Sequence, residues 1–83
     1  ICTDHPEVPI QYLPLCAALA VKGGLEEEAA LAAITISAAR IAGLDKTLGS
    51  LTPGKEADVV ITDRHPLELL GKVEAVLIGG RRI

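Results

Sequence analysis

Methionine, tryptophan and phenylalanine are absent, and Tyr12 is the only aromatic residue among 83. Large rings normally fill the centre of a small self-contained core. Here the apolar 49% of the chain is almost entirely Ala, Leu, Ile and Val. A body of this size buries only about 60–65% of its unfolded surface, and so small a core rarely contributes more than about 3–5 kcal/mol. An aliphatic chain this short and this apolar is expected to pack against something else. Cysteine is scarce too. Cys2 and Cys16 are too few for a disulfide scaffold and lack metal-type spacing, which points to a reducing cytoplasm. Net charge is −3, with no basic cluster beyond Arg81-Arg82, so neither nucleic acid nor an anionic membrane is an expected partner. The longest apolar run, LPLCAALAV, is too short to cross a bilayer and lacks the basic flank of a signal peptide. The missing methionine, together with an end that reads as half a hairpin, predicts a piece cut from a longer protein.

The patterns that are present divide the chain. Ile1–Thr3 reads as the tail of a strand, with Asp4 just past its end. Pro14 fits the first turn of a helix, where its missing N–H costs nothing. That helix, Leu13 to Val21, is apolar on every side and is expected to be buried all round, with Gly23-Gly24 as its stop. Glu26, Glu27 and Glu28 favour the start of a second helix, where the dipole stabilises carboxylates. Leu31, Ile34, Ala38 and Ile41 then form one apolar stripe. The β-branched trio Ile34-Thr35-Ile36 predicts a break near Thr35, after which Ser37 could cap a fresh turn ended by Gly43. From Leu48 the period changes. LGSL is short and β-like, Pro53-Gly54 signals a type II turn, ADVVITD is a strong buried strand, DRHPLEL a loop and VEAVLI another strand. Gly79-Gly80 turns the chain into a last short strand. The result is an α/β chain, helical to about residue 43 and β-rich afterwards. TDHP and TDRHP are similar in composition, as two turns; no internal repeat is present.

A strand that ends in an acid and runs into a helix is one βα unit, and α/β barrels carry their functional groups on such loops. A carboxylate at Asp4 could hold a divalent metal, take a proton from an activated water, or do both. It could equally turn the chain before Pro6, as aspartate often does. His5 is the neighbouring candidate. Adjacent side chains at a strand end usually diverge, so His5 fits the substrate rim better than the metal. His65 lies before Pro66 in a polar loop with no partner evident in sequence. The glutamates at 26–28 read as a solvated helix start, and the Lys55-Glu56 pair as an exposed turn. Thr35 and Ser37 have no base nearby to make a nucleophile.

Three stretches together resemble the C-terminal part of the metal-dependent amidohydrolase superfamily, nearest to its imidazolonepropionase-like members. TDHPEVPIQYLPLCAALAVKGGL resembles the last barrel strand, its metal-site acid and the following helix. ALAAITISAARIAGL resembles the helix pair, although Ser37-Ala38 stands where the family commonly has Asn-Pro. LGSLTPGKEADVVITD with VLIGGRRI resembles the closing signature and the return into a β-sandwich. The resemblance implies the last βα unit of a (β/α)8 TIM-type barrel over residues 1–44, followed by part of a composite β-sandwich over 45–83. In that sheet Val59, Val60 and Ile61 would be buried while Lys55 and Glu56 stay outside.

By the same resemblance, Asp4 is both the catalytic acid/base and a metal ligand, His5 lines the substrate rim, and the reaction is hydrolysis of a C–N bond in a small, often cyclic, amide. The implied cofactor is a divalent metal, zinc in most members, held in the full-length protein. One carboxylate cannot hold catalytic zinc, which takes about three protein ligands and a water, so the 83-residue piece is expected to be inactive and metal-poor alone. Two other readings stay open: a small α+β interaction module that homo-oligomerises through its aliphatic surface, and an amidohydrolase-like protein that has lost catalysis.

Overall fold

Proline and glycine set the boundaries of the first half. In the computed structural model, which describes Ile1–Ile83, a single 3-10 turn over Ile10–Tyr12 leads into α1, Leu13–Lys22, with Pro14 in its first turn. Gly24, at φ +115°, closes α1: its N–H donates to Val21 O while Leu25 N–H donates to Ala20 O. These two bonds satisfy the last carbonyls of the helix, and the left-handed residue between them favours glycine. Helix α2 follows over Glu27–Ala33, and α3 over Ile36–Ala42. The expected break falls at Ile34-Thr35. Thr35 is the N-cap of α3 at φ −126°, ψ −99°, and its hydroxyl donates back to Leu31 O at 2.8 Å. Ser37 therefore lies inside α3 and does not cap it, because the chain re-enters helical geometry two residues earlier than a Ser37 cap would require. Glu26 is the N-cap of α2, leaving Glu27 and Glu28 in its first turn. Gly43, at φ +75°, ends α3 with the same paired bonds, from Gly43 to Arg40 and from Leu44 to Ala39.

The second half begins without the expected LGSL strand. Leu48–Ser50 bends, because Gly49 takes φ +98° and lies against α3, where an added Cβ would meet Ala39 Cβ at 2.7 Å. The Pro53-Gly54 turn forms as expected: Lys55 N–H donates to Thr52 O and Gly54 has φ +94°. Three strands, β1 over Val59–Thr62, β2 over Val73–Ile78 and β3 over Arg81–Arg82, then make an antiparallel sheet in the order β1-β2-β3. Val59 pairs with Leu77 and Ile61 with Ala75, with an irregularity at Thr62. Gly79 and Gly80 both take positive φ, the conformation a two-residue hairpin loop requires.

Ile1–Thr3 is not a strand. A strand needs a partner, and none lies beside these residues; instead Thr3 O accepts the Val8 N–H at 3.3 Å. Thr3 is nonetheless buried, as are Ala17, Ala30 and Leu67, and no other residue is. The core is the α1–α2 junction, with Ala18, Val21, Leu31 and Ile34 packed partly against it. Alanine at the centre lets the helices approach closely, but it fills little volume. The rest of the apolar surface is open. Helix α1 is not buried all round, since Leu19 is 58% exposed; the α2–α3 stripe fails at Ile41, which is 90% exposed; and Val60 and Ile61 of β1 face solvent while Val59 is only half-buried. Lys55 departs in the other direction: it is half-buried, with Nζ donating to Leu48 O at 3.3 Å.

No helix packs directly against a strand. An open groove of about 820 Å³ separates α2 and α3 from β1, with Leu31, Ile36, Leu48 and Val59 among its walls. The chain accordingly exposes 6193 Å², where a compact monomer of its mass exposes about 4700 Å². Its radius of gyration is 13.0 Å, against about 12 Å for a compact chain of this length.

Candidate active site

The site is the turn that leads from Thr3 into α1. Thr3 is anchored in the interior, and Asp4 then adopts φ +53°, the single non-glycine residue of the chain in the left-handed region. Aspartate tolerates this conformation better than most residues, yet it still costs energy relative to the right-handed regions. The turn offsets that cost with backbone bonds. Glu7 N–H donates to Asp4 O at 2.9 Å and Val8 N–H to Thr3 O at 3.3 Å, across a cis His5-Pro6 peptide. His5 adds a third link: its Nδ1 accepts the Ile10 N–H at 3.1 Å, tying the turn to the start of the 3-10 segment.

The Asp4 carboxylate is exposed and takes part in no side-chain hydrogen bond or ion pair. A carboxylate used to turn a chain normally accepts a nearby backbone N–H. Asp63, in the other Thr-Asp turn, behaves that way, its Oδ1 accepting the Lys72 N–H at 2.7 Å. Asp58 does likewise toward Gly79 N–H at 2.9 Å. The oxygens of Asp4 stay available. As a donor set they fit one hard-oxygen ligand of a divalent cation or one proton acceptor. They do not make a complete site for either metal or substrate.

A second group lies elsewhere and was not foreseen in the sequence. One ligand atom each from Glu27, Glu28 and His65 falls within 4.8 Å of the others, and His65 Nε2 stands 3.3 Å from Glu27 Oε1. His65 thus has a partner, supplied by a helix start 38 positions away, which local reading of the loop does not see. The arrangement nevertheless fits a metal poorly. His65 Nδ1 accepts the Leu67 N–H at 3.2 Å. An accepting Nδ1 leaves the neutral ring's proton on Nε2, which then faces the carboxylate and has no lone pair for a cation. Metal-binding histidines are arranged the other way, donating from the second nitrogen to an acceptor. The pair is a clip between α2 and the 63–72 loop.

The profile of the Amidohydrolase family matches residues 1–83, and the chain belongs to that family. The crystal structure of an amidohydrolase from Thermotoga maritima MSB8 superposes with a TM-score of 0.92 at 39% identity, covering 96% of this chain and 21% of that one. Imidazolonepropionase of Acinetobacter baumannii strain AB307-0294 is 53% identical over 47 residues, which is 55% of this chain and 12% of the relative. A 5-methylthioadenosine/S-adenosylhomocysteine deaminase of Teredinibacter turnerae is 44% identical over 45 residues, 54% of this chain and 10% of the relative. The chain therefore spans only about a tenth of the curated relatives and a fifth of the structural neighbour. No helix in it is long and apolar enough to cross a membrane.

Proposed function

We propose that this chain is the last βα unit of an amidohydrolase barrel, residues 1–44, joined to part of a β-sandwich, residues 45–83, in a hydrolase of C–N bonds in small-molecule amides. The observation that carries the reading is the unpaired Asp4 carboxylate, held on a left-handed residue ahead of a helix. Membership of the family supports the reaction type. The names of the similar proteins, an imidazolonepropionase and a deaminase, differ in substrate and share cleavage at a C–N bond.

Asp4 would be one ligand of a divalent metal, with the remaining ligands contributed from outside these 83 residues. When bound, such a metal, zinc being the expected one, supplies Lewis-acid activation of water and of the scissile carbonyl. The part of Asp4 is proton transfer: its free oxygen accepts a proton from the attacking water and returns it to the leaving nitrogen. His5 lines the approach on the same turn. The excess surface of the chain supports completion by further polypeptide, since about 1500 Å² above the compact value is the scale of an obligate interface. The piece alone would then be inactive and bind zinc no more tightly than scattered carboxylates do. The free thiols Cys2 and Cys16 are in keeping with a cytoplasmic setting.

The test is made in a polypeptide that carries this segment within a whole amidohydrolase. Amine or ammonia release from a panel of cyclic amides, dipeptides and aminopurines is followed for the parent and for Asp4→Asn. The reading expects loss of turnover by about 10²–10⁴-fold with an unchanged melting temperature. Full activity in Asp4→Asn would refute it.

A further inference from the structure

We propose that His5 is a positioning residue: through Nδ1 it locks the turn that holds Asp4 in its left-handed conformation, and it acts neither as a metal ligand nor on substrate through Nε2. The inference rests on the reading of Asp4 as the acid/base and adds what keeps that acid in place.

Three consecutive residues, Thr3, Asp4 and His5, each accept one backbone N–H from farther along the chain. The acceptors are Thr3 O for Val8, Asp4 O for Glu7, and His5 Nδ1 for Ile10. The first two close the turn on itself. The third alone fastens it to an element outside, because Ile10 opens the 3-10 turn that runs directly into α1. Without it Thr3 remains anchored by burial and Pro9 O still accepts the Tyr12 N–H at 3.0 Å, but the Asp4–Val8 turn itself loses its side-chain link to the 3-10 segment. Asp4 then has less to hold it at φ +53°, and relaxation to negative φ swings its carboxylate away. Asp4 has no side-chain partner, so its carboxylate depends on the backbone of the turn for its direction.

The geometry also assigns the two ring nitrogens. With Nδ1 accepting, the neutral ring carries its proton on Nε2. A metal ligand would need Nε2 as a lone-pair donor, with Nδ1 donating to a fixed acceptor. His5 is built in the opposite sense.

Two amide side chains separate these roles. In asparagine the carbonyl oxygen is attached to Cγ, as Nδ1 is in histidine, and can still accept the Ile10 N–H; in glutamine it lies one atom farther out, near the reach of Nε2. Hydrogen exchange of the Glu7, Val8 and Ile10 amides is measured in the whole amidohydrolase that carries this segment, stripped of metal, and in its His5→Ala, His5→Asn and His5→Gln variants. The α1 amides of each sample serve as the reference for folding. The expected result is exchange about fivefold faster at all three amides in His5→Ala and His5→Gln, the factor for loss of one net hydrogen bond. His5→Asn stays close to the parent. In the whole enzyme, kcat should follow the same order while KM stays nearly constant. Protection restored by Gln and not by Asn would overturn the proposal, as would faster exchange confined to Ile10. The exchange pattern does not depend on catalysis. If it holds while Asp4→Asn keeps full activity, the acid/base reading has failed and the proposal falls as a statement about catalysis. If Asp4→Asn is inactive and the exchange pattern fails, only the role of His5 is overturned.

Discussion

The chain contains two turns of nearly the same chemistry, Thr3-Asp4-His5-Pro6 and Thr62-Asp63-Arg64-His65-Pro66, whose acids are bonded differently. In both, the histidine precedes proline and its Nδ1 accepts a downstream backbone N–H, from Ile10 in one turn and Leu67 in the other. The carboxylates differ. Asp63 is spent within the fold on the Lys72 N–H, while the histidine beside it clips the loop to Glu27. Asp4 bonds nothing through its side chain and sits at φ +53°. Residue type and neighbours therefore do not decide whether an aspartate is used within the fold. The hydrogen bonds separate these two: the Asp63 oxygen is taken up by the backbone and the Asp4 oxygens are not.

Substitutions can break this contrast or sharpen it. Asp4→Asn in the whole enzyme carries the largest expected effect, a loss of about 10²–10⁴-fold in kcat with no thermal destabilisation. Gly49→Ala comes next. It combines a Cβ 2.7 Å from Ala39 Cβ with a left-handed backbone at φ +98°, so a destabilisation of about 2–4 kcal/mol in urea unfolding is expected. Asp63→Ala removes the bond to the exposed Lys72 N–H, which water can replace, and should cost about 0.5–1 kcal/mol of stability while turnover at the intact site is unchanged. Glu27→Gln tests the clip. Its carboxylate and His65 are each partly exposed, so its loss should shift stability by less than about 1 kcal/mol, readable as a small displacement of the urea midpoint. Isothermal titration of the 83-residue chain with zinc should give no stoichiometric micromolar site. Such a site would mean that Glu27, Glu28 and His65 do bind metal.

Much of the fold was legible because local chemistry dictates it. Pro14, Gly24 and Gly43 bound the helices, the Ile34-Thr35-Ile36 run breaks one, and Pro53-Gly54 and Gly79-Gly80 set the turns, all through backbone preferences that act within a few residues. Asp4 was singled out as the end of a strand running into a helix; that strand does not form, and what the structure adds at the position is a left-handed backbone and unused carboxylate oxygens. What escaped the sequence depends on distant partners. Ile1–Thr3 and Leu48–Leu51 have strand-like composition but no strand beside them, so one turns back on itself and the other bends around Gly49. Val60 and Ile61 read as buried because apolar strands usually are; here β1 forms on its pairing with β2 and both side chains stay exposed. The pairing of His65 with Glu27 joins two segments that no periodicity connects.

The helical half and the sheet complete this picture. Three of the four buried residues belong to the first half, none lies in a strand, and Leu67 reaches the α1–α2 core from a loop. The helices hold one another through small residues at close range, whereas the sheet is held by its ladder bonds and by the Asp58 and Asp63 carboxylates, and presents aliphatic side chains to solvent. A chain built this way is a part that fits into a larger whole.

The most direct test compares Asp4→Asn with Asp63→Ala, which removes the acceptor of the Lys72 N–H, in the intact amidohydrolase, reading turnover and melting temperature for both. The account predicts that the first loses at least about 100-fold in kcat and melts like the parent, and that the second keeps its turnover and melts lower. Equal turnover in the two variants, or a lowered melting temperature in Asp4→Asn, would contradict it.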